Sequence, residues 1–198
     1  MAIIENLVSL SEDDRKAAVL REHPLYKYFG DTWEVLSHAY DGTGGFMDGS
    51  YLFEFPAEDS AKFAQRKAQS RYHNYVETLV ELFTRYLTRH VVRTTESEEL
   101  EGWWSDVDGK GTDMGDYVRD IVTTALAVGH VGTLVDKPDE DIGETKATDT
   151  TRPFLSIYSP LTMQDWIYDK RDGIHGIKLR ESVTPTEFDP ADTGEETS

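Results

Sequence analysis

DVDGKGTDMGDYVRDIVTTALAVGHVGTLVDKP, residues 106–138, holds a turn, a helix, a stop and a strand in that order. Asp106 to Gly111 (DVDGKG) is turn chemistry. Met114, Tyr117, Val118, Ile121, Val122, Ala125 and Leu126 then recur at three- and four-residue steps, the period of an amphipathic helix. Thr112 or Asp113 supplies its cap, and Gly129 stops it. Residues 131–135 (VGTLV) read as a buried strand. Helical periodicity gives way to strand patterning here, and the rest of the chain sorts to either side.

Upstream the signals are helical. Residues 12–22 predict a short helix with Ser11 as cap, ended by Pro24 because His23 precedes a proline. Asp31 or Thr32 is placed to cap a second short helix running through Ala39. The glycine-rich residues 41–49 (DGTGGFMDG) lack both the GxxxxGK[ST] and the GxGxxG patterns and read as a loop. Residues 51–55 (YLFEF) form a brief strand-like run closed by Pro56. From residue 57 to about 92 no proline or glycine interrupts, and Tyr72, Tyr75, Val76, Leu79, Val80, Phe83, Tyr86, Leu87 and His90 lay down one broad stripe. Asp59 or Ser60 is its natural cap. One helix of about 30 residues would reach about 45 Å, long enough to act as a strut. Residues 94–101 form an acidic connector, and Trp103 and Trp104 come next as anchors against a core or a neighbour.

Downstream the signals are strands. Residues 137–151 are an exposed polar loop, 154–158 (FLSIY) a strand and 160–164 a helical turn. Residues 166–168 and 174–179 form a hairpin around Asp172-Gly173. Runs of helices followed by runs of strands give an α+β fold, long amphipathic helices leading to a small mixed or antiparallel sheet. The chain divides into an N-terminal helical and loop segment (1–56), an α+β core (57–181) and an acidic tail (182–198).

The chain has 198 residues, 20 Lys plus Arg against 38 Asp plus Glu, and a net charge of −18. That excess argues against a phosphate-gripping surface and suits a wall past which a polyanion slides. There is no cysteine, so disulfides, thiolate catalysis and cysteine-held metals are absent. The N-terminus has no basic start and reads as no secretory signal. No apolar run approaches the ~18 residues of a membrane span.

Candidate sites are few. Asp106 and Asp108 resemble the opening of a calcium loop, but the fifth position is Lys110 and the twelfth is Tyr117. One ligand is a cation and the closing carboxylate is missing. The six histidines form neither HExxH nor HxH. Asp136, after a strand, is the best-placed acid, and a hydrolase would need it to meet His130 or His175; a loop-capping role fits it better. No GxSxG is present. No catalytic, cofactor or metal residue is assigned. Arg85, Arg89 and Arg93 make a basic stripe at four-residue steps that fits an ion pair within or between subunits. The aromatic stripe from Tyr72 to Tyr86 reads as core or subunit interface rather than a base-stacking platform.

Four stretches in order resemble the N-terminal half of tailed-bacteriophage portal proteins, the head–tail connectors. They are GGFMDGSYLFEFPAEDSAKFAQR (44–66), YHNYVETLVELFTRYL (72–87), the 106–138 stretch and RPFLSIYSPLTMQDWIYD (152–169), within residues 24–181. The resemblance implies a non-catalytic structural protein forming a dodecameric ring at one capsid vertex of the virion, assembled in the host cytoplasm. Its implied partners are copies of itself, the major capsid protein, head–tail adaptor or tail proteins, the terminase during packaging, and double-stranded DNA passing without sequence-specific contact. No cofactor and no membrane are implied. The family continues past the matched region into stem and clip, so this chain corresponds to the wing-forming part. Arg85, Arg89, Arg93, Trp103 and Trp104 are then candidate intersubunit contacts. The other reading is an acidic protein-binding module, linked to calcium through Asp106 and Asp108.

Overall fold

From Pro24 onward the described residues hold ten secondary-structure elements in the order the sequence predicts, helices first and strands last. They are seen in a computed structural model that describes residues 11–13, 16, 20–92, 94–137, 151–169, 171 and 173–181. The acidic tail, most of the 137–151 loop and Asp172 lie outside the described residues, as does much of the 12–22 helix; within it Glu12, Asp13, Lys16 and Leu20 are helical.

Helix α1 is Pro24–Asp41. Pro24 starts it rather than only ending the segment before, because a proline at the first helical position forfeits no hydrogen bond. The cap is His23, whose Nδ1 accepts from the Leu25 N–H at 3.2 Å, and not Asp31 or Thr32, which sit inside the helix. Gly42 takes the left-handed conformation (φ 67°) that ends it. The glycine-rich loop contains one helical turn, α2, Gly45–Asp48. Residues 51–55 are turn and coil, not a strand; no strand of the described residues offers them a ladder.

The single helix expected over residues 57–92 is two helices. Helix α3 is Ser60–Gln69, capped by Asp59, and α4 is Tyr75–Thr88, capped by Asn74. At 14 residues, α4 reaches about 21 Å, so no 45 Å strut exists. The break is made by side chains. The Ser70 hydroxyl donates to Arg66 O at 2.8 Å. The Tyr72 hydroxyl donates to Ala39 O at 2.7 Å, and Asn74 Nδ2 donates to Tyr40 O at 2.6 Å. Ser70 thereby closes the last turn of α3, and residues 72–74 are fastened to the end of α1 and do not also wind helically.

Helix α5, Glu98–Trp104, shortens the acidic connector and is capped by Ser97. Helix α6, Met114–Val128, has the expected Asp113 cap and Gly129 stop. Strand β1 (Gly132–Asp136) pairs antiparallel with β2 (Phe154–Tyr158), Leu134 opposite Ser156. Strand β3 (Met163–Asp169) pairs antiparallel with β4 (Gly173–Leu179), Trp166 opposite Ile177. The turn before β3 is three residues and not helical. The pairs are separate two-stranded sheets, so β1 is an edge strand with Val135 65% exposed rather than a buried one. The whole is α+β.

Packing is in two patches. Helix α4 lies on α6 and α1, with Trp33 of α1, Val80 of α4 and Val128 of α6 buried. Val107, Tyr117 and Leu155 form a second core under Trp103, Met114, Ile121 and Ile157. Its backbone is tied by Leu155 N–H donating to Val107 O at 2.8 Å. The segment before α1 is fixed to the second hairpin: His23 stacks on Trp166 with ring centres 3.9 Å apart, and Arg21 pairs with Asp165 at 2.7 Å.

Candidate assembly surface

Helix α4 faces its own chain with its less apolar side. Thr84 is fully buried, its hydroxyl 3.2 Å from that of Thr123 on α6. Val80 is buried beside it, and Glu81 accepts from the Tyr40 hydroxyl at 3.1 Å. That contact, with burial foremost, holds the Tyr40 phenol up at about 12.

The apolar side points outward. Tyr75, Val76, Leu79, Leu82, Phe83, Tyr86 and Leu87 are all exposed, from 36% at Val76 to 71% at Tyr75. They occupy roughly 140° of the helix circumference, so they form one stripe. Together they present on the order of 700 Å² of side chain, above the ~300–600 Å² of the largest patch on a typical monomer. Covering half of it would release about 9 kcal/mol by transfer, before the costs of association. A helix turned with its apolar stripe to water is short of a partner.

The five candidate contact residues divide. Arg85 and Arg89 are exposed, and no carboxylate of the described residues pairs with them. They do not share a helical face, because α4 ends at Thr88 and Arg89 is extended (φ −66°, ψ 132°). The basic stripe at four-residue steps therefore does not form. Arg93 lies outside the described residues. Trp103 is held within its own chain, its indole N–H donating to Pro153 O at 2.7 Å. Trp104 is half-buried on α5. The outward stripe is the feature that sequence reasoning places least well: its residues are legible, its direction is not.

The Asp106–Gly111 turn serves itself. Asp108 Oδ1 accepts from Lys110 N–H at 2.9 Å and Thr112 N–H at 3.2 Å, and Oδ2 from the Thr112 hydroxyl at 2.7 Å. Led by the Thr112 hydroxyl, these bonds hold the carboxyl down at about 2. Asp106 Oδ1 accepts from Gly111 N–H at 2.8 Å, and its other oxygen pairs with Arg152. Both carboxylates are thus used in tying the loop to α6 and β2. Asp113 is lowered likewise by the Asp116 and Gly115 N–H groups it caps, whereas burial and the neighbouring carboxylate of Asp116 raise Asp120.

Between the two hairpins lies a cleft of about 530 Å³, walled by His130, Val131, Leu134, Met163, Trp166 and Ile177 among others. Its lining is mainly apolar, and burial lowers the His130 imidazole. Asp136 is not part of it. Its carboxylate accepts from the Lys137 N–H at 2.7 Å, the loop-capping arrangement, so this cleft does not join it to His130. The side chain of His175 lies outside the described residues. No helix of the described residues is long and apolar enough to cross a membrane. Compared with known proteins, the chain matches no family model and no curated protein.

Proposed function

We propose that this chain is a structural subunit of a tailed-phage portal, contributing the wing region of a ring through which the genome is packaged and ejected. One observation carries the reading: α4 packs inward with Thr84 and Glu81 and turns Leu79, Phe83 and Tyr86 outward. A subunit made to be covered by neighbours has that polarity, and a free-standing domain avoids it.

Other features support the same reading. The portal-like motifs lie next to regular elements: the DxDGxG turn leads into α6, the LVD segment ends β1 and the RPFL segment leads into β2. The net charge of −18 suits a structure past which DNA moves without adhering. In this role the protein acts by geometry and electrostatics. Its partners are further copies of itself, the major capsid protein, head–tail adaptors and the packaging terminase, in the virion. The calcium-linked form of the alternative is weakened by Asp106 and Asp108, whose oxygens are taken up by their own loop and by Arg152.

The test is electron microscopy with particle-mass measurement on the product of the intact gene. Closed rings with a central opening are expected. A monodisperse monomer at all concentrations would overturn the reading and leave a protein-binding module in its place.

A further inference from the structure

Among the described residues, two apolar surfaces without a partner lie on different parts of this chain. One is convex, the outward stripe of α4. The other is concave, the cleft between the hairpins, which no residue of α4 lines. We propose that the α4 stripe of one copy seats in the inter-hairpin cleft of a second copy, head to tail, with Phe83 and Tyr86 as the inserted side chains. The inference rests on the assembly reading above and adds the two surfaces that meet.

Three observations select a second copy as the occupant. The stripe offers on the order of 700 Å², close to the ~800 Å² per partner of a specific interface. The cleft, about 530 Å³ and mainly apolar, has the size that accepts bulky apolar groups. Aromatic side chains filling desolvated pockets are the usual anchors of an interface. A two-fold pairing of stripe on stripe would leave the cleft open to water. A head-to-tail contact fills the cleft with Phe83 and Tyr86 and covers the middle of the stripe, and such contacts close into rings when the rotation permits.

The chain has no cysteine, so introduced thiols report without background. Phe83→Cys and Ile177→Cys proteins would be purified separately, mixed and oxidised. A disulfide-linked pair is expected in the mixture and not in either protein alone. A Phe83→Cys protein that links to itself would overturn the proposal in favour of a two-fold contact. Complementary variants give a second reading. Phe83→Glu/Tyr86→Glu destroys the stripe and leaves the cleft; Ile174→Glu/Ile177→Glu destroys the cleft and leaves the stripe. All four residues are at least 42% exposed, so the monomers are expected to fold, which circular dichroism checks. Each variant alone should self-associate about 100-fold more weakly than the unmodified chain, and the mixture should stop at one-to-one pairs by mass photometry. A cleft variant that assembles like the unmodified protein would overturn the proposal. Rings from the intact gene without the Phe83–Ile177 link would end this inference and spare the portal reading. The link without rings would do the reverse.

Discussion

Replacing Asn74 by alanine tests what divides residues 57–92 into two helices. The Asn74 side chain makes four hydrogen bonds at the junction, the longest accepted from the Tyr72 hydroxyl at 3.5 Å. Its Oδ1 accepts the Glu77 N–H at 3.0 Å, and its Nδ2 donates to Tyr40 O at 2.6 Å and to Glu77 Oε2 at 3.0 Å. Losing the cap costs about 1 kcal/mol. Leaving the part-buried Tyr40 carbonyl without its donor costs about 1 kcal/mol more. Alanine favours helix and returns a few tenths. Asn74→Ala should therefore destabilise the fold by about 2 kcal/mol, or about 4–8 °C in melting temperature for a chain of this size. Urea titration followed by circular dichroism reads the first quantity and a thermal melt the second. Asn74→Asp separates the two parts. It keeps the capping oxygen, loses the donor to Tyr40, and sets a second carboxylate against Glu77, so it should fall between the parent and the alanine variant. An alanine variant as stable as the parent, with a stronger helical signal, would sink the idea, because α3 and α4 would then fuse at no cost.

Other perturbations probe other parts of the molecule. The Asp108 carboxyl titrates at about 2 when folded, below its ordinary value. Its stabilisation is therefore complete above about pH 4 and is lost as pH falls from 4 toward 2. Acid titrations of the melting temperature should show that loss in the parent and a smaller one in Asp108→Asn; equal slopes would contradict it. Leu155→Ala opens a cavity against Val107 and Tyr117 and should cost about 2–4 kcal/mol in urea titration. Reversing Arg85 and Arg89 to glutamate should change monomer stability by less than about 0.5 kcal/mol while weakening assembly; a lowered melting temperature with assembly intact would assign both to intrachain contacts.

How far the sequence can be read depends on the range of the forces involved. Helix α6 is legible from Asp113 to Gly129 because its cap, stripe and stop are all local. Strands β1 and β2 and the hairpin closed at Gly173 are legible for a similar reason, as short apolar runs between turn residues, but that β1 pairs with β2 in a sheet apart from the hairpin is not. The break at residues 70–74 is not, since it depends on Tyr72 and Asn74 reaching the end of α1, more than thirty positions away. A signal is present even so. Asn74, with Glu77 three places later, has the spacing of a capping box, hidden inside an unbroken apolar period. The start of α1 at Pro24 is missed when the proline is read only as a stop, although a proline serves equally well as a first helical residue. Residues 51–55 have strand composition but no partner strand, and composition alone cannot supply one.

The outward stripe illustrates a further limit. Periodicity fixes which residues share a face of α4, but not whether that face meets the same chain, another chain or water. Here the choice is decided by Thr84 meeting Thr123 and by Tyr40 reaching Glu81, contacts made by hydroxyls and a carboxylate.

The proposed function therefore stands on this stripe being covered in the assembled protein. Hydroxyl-radical footprinting reads its exposure directly, since Tyr75, Phe83 and Tyr86 are reactive aromatics that are at least 56% exposed in the single chain. Strong labelling of all three is expected in dilute protein, with loss of labelling on assembly. Phe53, 68% exposed and on another part of the surface, serves as an internal reference. Undiminished labelling of Phe83 and Tyr86 in the assembled particle would show that the stripe is not the contact surface.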